Sequence, residues 1–336
     1  MSRHEAAVRA FWAWWATSRP AFEAAIATGE YGALVGEAAT HVEAIDGRLQ
    51  WELGKGRGAA HFFALSANGD PVLRRLTERW KVLGPANDDS WEYWSSRPPR
   101  PNATLVWGSH PLRLDAAVLT WTTNHLREVL DITICHPEFA RMSEDDRESA
   151  AVLLLDGALG EDDVERWVGS VDVVSKAPIG AQSLAVFLGA LEKMVDGATG
   201  NVLVTLESDG VDGPKVIVYN AALKQVDHLD LDLHLTLTLK LLQPNTNGLA
   251  TETETTRLDA LERELGQALG ERAVWLGRET CAGKRLAHFF AAESVGLREV
   301  CDRWMREHHV LRPHLISRKD EAWDAALQWN GGDGAE

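Results

Sequence analysis

The sequence predicts an α+β protein that contains two copies of an αββαβ module with largely antiparallel sheets. The pentapeptide Ala-His-Phe-Phe-Ala occurs twice, at residues 60–64 and 287–291. A helical segment of the form Leu-Arg-x-x-x-x-Arg-Trp follows each copy, at residues 73–80 and 297–304. Because the same residues recur at strand and helix positions in the same order, the pattern indicates an internal duplication.

An N-terminal helix over residues 4–16 precedes the first copy, and we expect it to end at Ser18 and Pro20. Its aromatic residues are expected to pack in a core: Phe11, Trp12, Trp14 and Trp15. Two short helices should follow within residues 21–39, because three glycines interrupt an alanine-rich run there.

The first copy itself should contain three strands, at residues 49–53 (with Trp51), 59–66 and 91–95. Residues 54–58, Gly-Lys-Gly-Arg-Gly, join the first two strands as a hairpin. Asp70 is placed to cap a helix with Pro71 at its first position. Leu73, Leu76 and Trp80 then fall on one helical face, which predicts that this face is buried.

The second copy repeats this order. A helix from about Thr256 to Leu269 carries one apolar stripe, formed by Leu258, Leu261, Leu265 and Leu269. Two strands (273–278, with Trp275, and 285–292), a helix capped by Ser294 and a strand (309–317) should follow, with a closing helix at 320–327. We therefore expect residues 41–96 and 257–317 to superpose as one unit.

Between the copies, strands are expected near residues 104–107, 114–121, 129–135, 202–206, 215–219 and 229–242. Ser143 and the acidic run that begins at Glu161 each start a helix, and residues 183–195 form another. The polar tract 243–255 is expected to be a loop. These elements suggest a division into an N-terminal aromatic helix (1–20), an N-terminal α+β domain (21–175) and a C-terminal α+β domain (176–330).

Composition restricts the classes of function. Lys and Arg total 34 against 50 Asp and Glu, a formal charge of −16. This charge repels phosphate, so we expect no nucleic-acid partner, whereas a basic protein would be attracted. The three cysteines lack paired spacing, which fits a reducing, cytoplasmic environment. Arg9 interrupts the N-terminal apolar stretch, and no window approaches the ~20 apolar residues of a membrane span, so neither a signal peptide nor a membrane partner is expected.

Several segments resemble the bacterial proteins grouped as domain of unknown function 695. They are Trp275-Leu276-Gly277-Arg278, Ala287-His288-Phe289-Phe290 and Asp320-Glu321-Ala322-Trp323, together with residues 153–161 and 216–221. By a weaker resemblance, that family is similar in domain pattern to the ribonuclease-regulator B proteins, which are small acidic ferredoxin-like inhibitors. The resemblance implies duplicated ferredoxin-like modules and a protein-binding role, and it supplies no catalytic residue.

The most distinctive polar pattern alternates with leucines from His228 to Lys240: His228, Asp230, Asp232, His234, Thr236, Thr238 and Lys240. Such alternation predicts a strand over residues 229–241 with its odd-numbered leucines buried. Residues two apart in a strand are ~6.6 to 6.8 Å apart, so His228 and His234 stand ~20 Å apart and cannot share one ion. A solvated or inter-strand polar face is the preferred interpretation, and a metal or ligand site on two or three neighbours is the alternative.

Other candidates lack partners that the sequence can place. His61 and His288 hold equivalent positions in the two copies, and each is expected to be structural because no carboxylate or nucleophile is placed beside it. Cys135 and His136 are adjacent in a strand and point to opposite faces, which disfavours mutual activation. The glycine-rich loop 54–58 joins two strands, whereas a phosphate loop leads into a helix.

We therefore assign no catalytic, cofactor-binding or metal residue from sequence and expect no cofactor. The leading hypothesis is a cytoplasmic binding or regulatory protein that acts on another protein through an acidic surface. The alternative is an enzyme or metal-dependent module with a site between the two repeats that draws on the face from His228 to His234.

Overall fold

The computed structural model describes residues 3–101, 104–210, 213–294 and 296–330. These residues belong to two compact units, the first within 1–123 and 129–196 and the second within 124–128 and 197–336. The chain is a mixed α and β protein whose paired strands are largely antiparallel. Among the residues described, no helix combines the length and apolar character needed to cross a membrane.

The first unit opens with two helices, α1 (Arg3–Thr28) and α2 (Leu34–Glu43). The prediction that the first helix ends at Ser18 and Pro20 is wrong, because α1 continues through Pro20. A proline inside a helix costs about 3 kcal/mol. The side chains beyond it are nevertheless buried in the core, namely Phe22 and Ala25. Their packing offsets the cost, and α1 therefore crosses the predicted boundary between residues 20 and 21.

The αββαβ order of the first copy is present. It is completed by β1 (Gln50–Lys55), β2 (His61–Ser66), α3 (Pro71–Val82) and β3 (Trp91–Trp94). The sheet order is β1-β2-β3, in which β1 is antiparallel and β3 is parallel to β2. Asp70 caps α3 as predicted, because its carboxylate accepts a hydrogen bond from Val72 N at 2.9 Å.

An aromatic core holds α1 and α3 against this sheet. The rings of Trp12 and Trp80 stack with centroids 4.5 Å apart, and Trp12 Nε1 donates to the carbonyl oxygen of Trp80 at 2.8 Å. Phe63 of β2 packs edge-on against Phe11, 5.4 Å between centroids. The predicted packing of the N-terminal aromatic residues is confirmed for those that are buried, namely Phe11, Trp12 and Trp15. Trp14 is only partly buried.

The rest of the first unit forms a second core, to which three helices contribute. Its elements are β4 (Thr104–Trp107), β5 (His110–Arg113), β6 (Val118–Asn124), β7 (Val129–Cys135), α4 (Glu144–Leu159), α5 (Glu161–Trp167), β8 (Val168–Val174), β9 (Gln182–Ser183) and α6 (Leu184–Gly197). Strands β4 and β5 form a hairpin, and the others form a sheet of order β8-β7-β6-β9. Phe187 of α6 is fully buried in this core, so α6 packs with the first unit, beyond the boundary predicted at residues 175 and 176.

The second unit is built on one six-stranded sheet. Its elements are β10 (Leu203–Gly210), β11 (Gly213–Asn220), β12 (Leu233–Lys240), α7 (Glu252–Leu269), β13 (Ala273–Cys281), β14 (Lys284–Ala291), α8 (Leu297–Glu307), β15 (His314–Lys319) and α9 (Asp324–Asn330). The strand order is β10-β11-β13-β14-β12-β15, with every neighbouring pair antiparallel. Helix α7 begins within the tract predicted as a loop, because Thr251 caps it by accepting a hydrogen bond from Glu254 N.

The two faces of this sheet are covered differently. Helices α7 and α8 cover one face, where buried side chains include Leu265, Phe289 and Trp304. On the other face, Trp323 and α9 pack against Tyr219 and Phe290. Between β13 and β14 the chain turns at Ala282 and Gly283, whose φ values of 46° and 72° are those that a two-residue hairpin loop requires.

The two copies share their element order and differ in strand order. In the first copy β3 pairs directly with β2, whereas in the second β12 lies between β14 and β15. The prediction that residues 41–96 and 257–317 superpose as one unit is therefore wrong. The shared hairpin and helix are retained, because the matching aromatic residues are buried in both copies: Phe62, Phe63 and Trp80, and Phe289, Phe290 and Trp304.

The alternating leucine segment forms a shorter strand than predicted. Strand β12 begins at Leu233, because residues 229 and 230 form a turn. Within the strand Leu235, Leu237 and Leu239 are buried under α7 and α8 as expected. Leu231 lies before the strand and packs in the opposite cluster, with Trp323.

Candidate functional site

Two histidines meet on the sheet of the second unit. His234 is on β12 and His288 is on the adjacent strand β14. Since β12 pairs Thr236 with His288, the two rings lie on the same face one diagonal step apart. His234 Nε2 and His288 Nδ1 are 3.0 Å apart, and the rings stack with centroids separated by 5.2 Å.

The histidine pair is largely buried under aromatic side chains. His288 is 7 % exposed, and the ring of Trp329 from α9 meets it edge-on with centroids 5.0 Å apart. Gly277 on β13 makes this approach possible, because a Cβ there would lie 2.5 Å from the Trp329 ring. Burial lowers the pKa of His288 to about 3, and it also lowers the pKa of His234. Both rings are therefore neutral at pH 7, so one nitrogen of the 3.0 Å contact donates and the other accepts.

One nitrogen of the pair has no hydrogen-bond partner. His288 Nε2 is buried without one, and the nearest carboxylate oxygen, Oε1 of Glu279, lies 3.8 Å away. The other oxygen of Glu279 accepts from Lys215 Nζ at 2.7 Å. Side chains from β12, β14, β13 and β11 thus lie in a line of polar groups that is interrupted between His288 and Glu279, and its neutral imidazoles carry no charge.

The depressed pKa of His288 predicts acid sensitivity. Below pH 6.5 the unfolded chain binds a proton at this residue that the folded chain does not bind, so stability falls as pH decreases from about 6.5 towards 3. The slope should approach about 1.4 kcal/mol per pH unit for one proton. Urea unfolding at pH 7.5, 6 and 5 should show a shallower decline for His288→Phe than for the wild type. His125→Gln, at an exposed histidine, should keep the wild-type decline, and equal slopes in all three proteins would contradict the prediction.

The other members of the alternating pattern do not join this pair. His228 lies before β12 and stacks on Trp323, with centroids 5.9 Å apart. Asp230 is exposed in the turn, whereas Asp232 is buried, which the predicted solvated face did not anticipate. His234 therefore contacts His288 of the duplicated pentapeptide. It does not contact His228, which belongs to the same alternating pattern as His234.

A separate group has the spacing of metal ligands. Ligand atoms of Glu264 on α7 and of Glu307 and His308 at the end of α8 lie within 4.8 Å of one another. His308 Nε2 is 2.9 Å from an oxygen of Glu264, so a hydrogen bond between these two side chains accounts for this proximity. Within the described ranges no other group of three such residues converges, which leaves the pattern from His228 to His234 without metal-site geometry.

Two other candidates from the sequence, His61 and the pair Cys135 and His136, lie in surroundings that indicate a structural role. His61 is half-buried beside Trp91, so the duplicated histidines differ in environment. Burial raises the pKa of the Cys135 thiol, and His136 Nδ1 accepts a hydrogen bond from Glu138 N, so this pair lacks an activated thiolate.

Backbone amides of the glycine-rich hairpin already donate hydrogen bonds to a side chain of the protein. The carboxylate of Glu92, on β3, accepts hydrogen bonds from Arg57 N at 2.6 Å and Gly58 N at 3.0 Å. These backbone amides, which could otherwise hold a phosphate, are therefore already occupied by an anion.

The first unit contains a buried charge network that the sequence did not predict. Arg74 on α3 is 2 % exposed, donates to Ser95 O at 2.9 Å and pairs with Asp162 and Glu165 of α5. Next to it, Glu161 accepts from Ser66 Oγ at 3.0 Å and from Arg97 N at 2.9 Å.

Asp156 extends this network. Its carboxylate pairs with Arg97 at 3.0 Å, and burial nevertheless raises the pKa of Asp156 to about 6. The only sequence signal was the acidic run at residues 161–163, which we interpreted as a helix start. The run does begin α5, and its carboxylates also pair with α3.

Part of the chain is similar to a known protein family. Residues 209–329 match the profile of a family of unknown function, DUF695. This range contains four of the five stretches that carried the resemblance, at residues 216–221, 275–278, 287–290 and 320–323, and the predicted similarity is confirmed there. The similarity to ribonuclease-regulator B proteins stays a prediction. No curated protein and no solved structure matches the chain.

Proposed function

We propose that this chain is a binding or regulatory protein that acts on another protein through an acidic surface, and that its partner is basic. The formal charge of −16 creates a long-range attraction for cations. The match to a family without a known activity is compatible with this role and does not specify it. The proposal depends on where the carboxylates lie and whether they are already neutralised.

The first turns of α4 carry the acidic surface. Glu144, Asp145 and Glu148 are exposed, and none of them forms an ion pair with another residue that the structure describes. The positive end of a helix favours the first two carboxylates. Glu144 and Glu148 lie four residues apart on one helical face, where like charges repel and cost up to about 0.5 kcal/mol. A basic partner would relieve this repulsion, and this observation carries the proposal.

The second acidic run of the sequence is not available to a partner in the same way. Glu161 is buried, Asp162 pairs with Arg74, and Asp163 pairs with Arg166 at 2.9 Å. Its charges are compensated within the first unit. We therefore assign the acidic surface to α4 and not to α5.

Association kinetics test the proposal. A partner captured by the full chain should bind more slowly to the triple variant Glu144→Gln, Asp145→Asn, Glu148→Gln, with an association rate about tenfold lower at low salt. For the wild type the rate should fall as the screening length shortens from about 10 Å at 0.1 M salt to about 3 Å at 1 M. Dissociation should change less.

A matched control separates this surface from net charge. Glu30, Glu37 and Glu43 are also exposed carboxylates of the first unit, and replacing all three with Gln changes the net charge by the same amount. This control should leave association nearly unchanged. Equal slowing in both triple variants would show that net charge alone sets the association rate. An association rate that does not change with salt would rule out a role for the acidic surface. Turnover of a metabolite by the purified protein with no partner present would replace the binding role with an enzymatic one.

A further inference from the structure

One face of the sheet in the second unit is partly open. This open face lies opposite α7 and α8 and beyond the area covered by Trp323 and α9. The strand registers place a band of side chains on it: Leu206 (β10), Ile217 (β11), Glu279 (β13), Leu286 (β14) and Thr238 (β12), with Ile316 (β15) one step away. With strands about 4.8 Å apart, six strands span about 24 Å, the length of a four- to five-turn helix.

The band is apolar except at Thr238 and Glu279, and the Glu279 carboxylate is paired with Lys215 Nζ at 2.7 Å. Leu206 is 36 % exposed and Ile316 is 38 % exposed at the two edge strands, and Ile217 and Leu286 between them are half-buried. Leu206 and Ile217 are direct neighbours on β10 and β11, and Leu286 and Ile316 add apolar area on β14 and β15, whereas exposed apolar side chains on protein surfaces are commonly scattered. Each of them would lose further contact with water if another element packed there.

Two lysines face each other beside this band. Lys240 and Lys284 are register partners on β12 and β14 and lie on the same face as Thr238 and Leu286. Both are exposed, and neither forms an ion pair with any residue in the described part of the chain. Like charges directly opposite each other on neighbouring strands are destabilising. An anion placed between the two ammonium groups would convert this repulsion into attraction.

We propose that the open face is a docking surface for an acidic amphipathic helix of a partner protein. Helix α9 already packs on the same sheet face through Ala326 and Trp329, so a second helix beside it would continue that layer. Its apolar stripe would cover Leu286 and Ile316, and its carboxylates would lie over Lys240 and Lys284. This inference goes beyond the proposed function, because it concerns a different surface and a ligand of opposite charge.

A designed peptide provides the probe. We choose a peptide of about 18 residues with Leu along one helical stripe and Glu elsewhere, and a second peptide in which Lys replaces every Glu. The Glu peptide should bind the full-length protein, and it should perturb the methyl NMR signals of Leu206, Ile217, Leu286 and Ile316. The Lys peptide should leave these signals in place.

Charge reversal tests the role of the lysines. In the double variant Lys240→Glu, Lys284→Glu the affinity for the Glu peptide should fall at least about tenfold. The control double variant Lys176→Glu, Lys193→Glu changes two exposed lysines of the first unit by the same charge, and its affinity should stay within about twofold of the wild type. Equal loss in both variants, no binding of the Glu peptide, or methyl perturbations elsewhere would each overturn the proposal.

A measurement without ligand tests the repulsion itself. In Lys284→Glu the cross-strand pair becomes attractive, so the unfolding temperature should rise by about 1 °C at low salt and the rise should vanish at 1 M salt. A lower or unchanged unfolding temperature at low salt would show that the two lysines do not repel, and the charge argument for an acidic partner would fail.

Discussion

Replacing Trp80 with alanine should lower the free energy of unfolding of the first unit by about 3 to 5 kcal/mol. The Trp80 side chain is fully buried and stacks on Trp12, and it also contacts Phe11 and Phe63 with centroid distances of 5.5 and 5.7 Å. Alanine would leave a cavity that α1, α3 and β2 all line. Urea unfolding followed by circular dichroism would measure the loss.

Two further variants provide comparisons for Trp80→Ala. Val82→Ala on the same helix removes a side chain that is 64 % exposed, and its effect should stay within about 0.5 kcal/mol. Trp304→Ala, at the equivalent position of the second copy, should destabilise the second unit by an amount similar to that of Trp80→Ala, because Trp304 is 3 % exposed. A small loss at either tryptophan would refute the claim that the duplicated helices are held by these rings.

Replacing Arg74 with methionine should destabilise the first unit by about 3 kcal/mol. The change would leave the carboxylates of Asp162 and Glu165 and the carbonyl of Ser95 without their cation. The cost should lie near the lower end of the range for breaking a buried ion pair, because the side chain of Asp162 is 44 % exposed and can regain water. Denaturant unfolding of the purified variant measures this loss.

The duplication supplies the matched control. Arg298 occupies the position in α8 that Arg74 occupies in α3, but its side chain is 91 % exposed and only approaches Asp302, at 3.7 Å. Arg298→Met should therefore change stability by less than about 0.5 kcal/mol. Similar losses at both arginines would mean that helix propensity, and not the buried network, sets the effect of Arg74.

Local patterns predicted several elements well. Asp70 and Pro71 predicted the start of α3, since capping depends on a side chain and a backbone amide two residues apart. The alternating leucines predicted a strand, and β12 has three of them buried on one face. The same kind of evidence misplaced the end of α1, because helix packing beyond Pro20 decides whether the proline is tolerated.

The sequence assigned no site residue, and the histidine pair was not predicted. His234 and His288 both stood out in the sequence, one by alternation and the other by duplication. They are 54 residues apart in the chain and become neighbours only because β12 pairs with β14. The sequence did not predict that Arg298 is exposed and Arg74 is buried, because the two arginines occupy identical motif positions.

The sequence by itself determined the α+β class, the αββαβ element order of both copies and the burial of Phe11, Trp12, Trp15, Trp80 and Trp304. These properties follow from side-chain periodicity and capping groups that lie within a few residues of one another. Only the tertiary structure decided that β12 separates β14 from β15, that two histidines stack, and that Arg74 is buried beside Asp162 and Glu165. Strand pairing and burial join segments tens of residues apart, and for such pairs local spacing does not specify which partner is chosen.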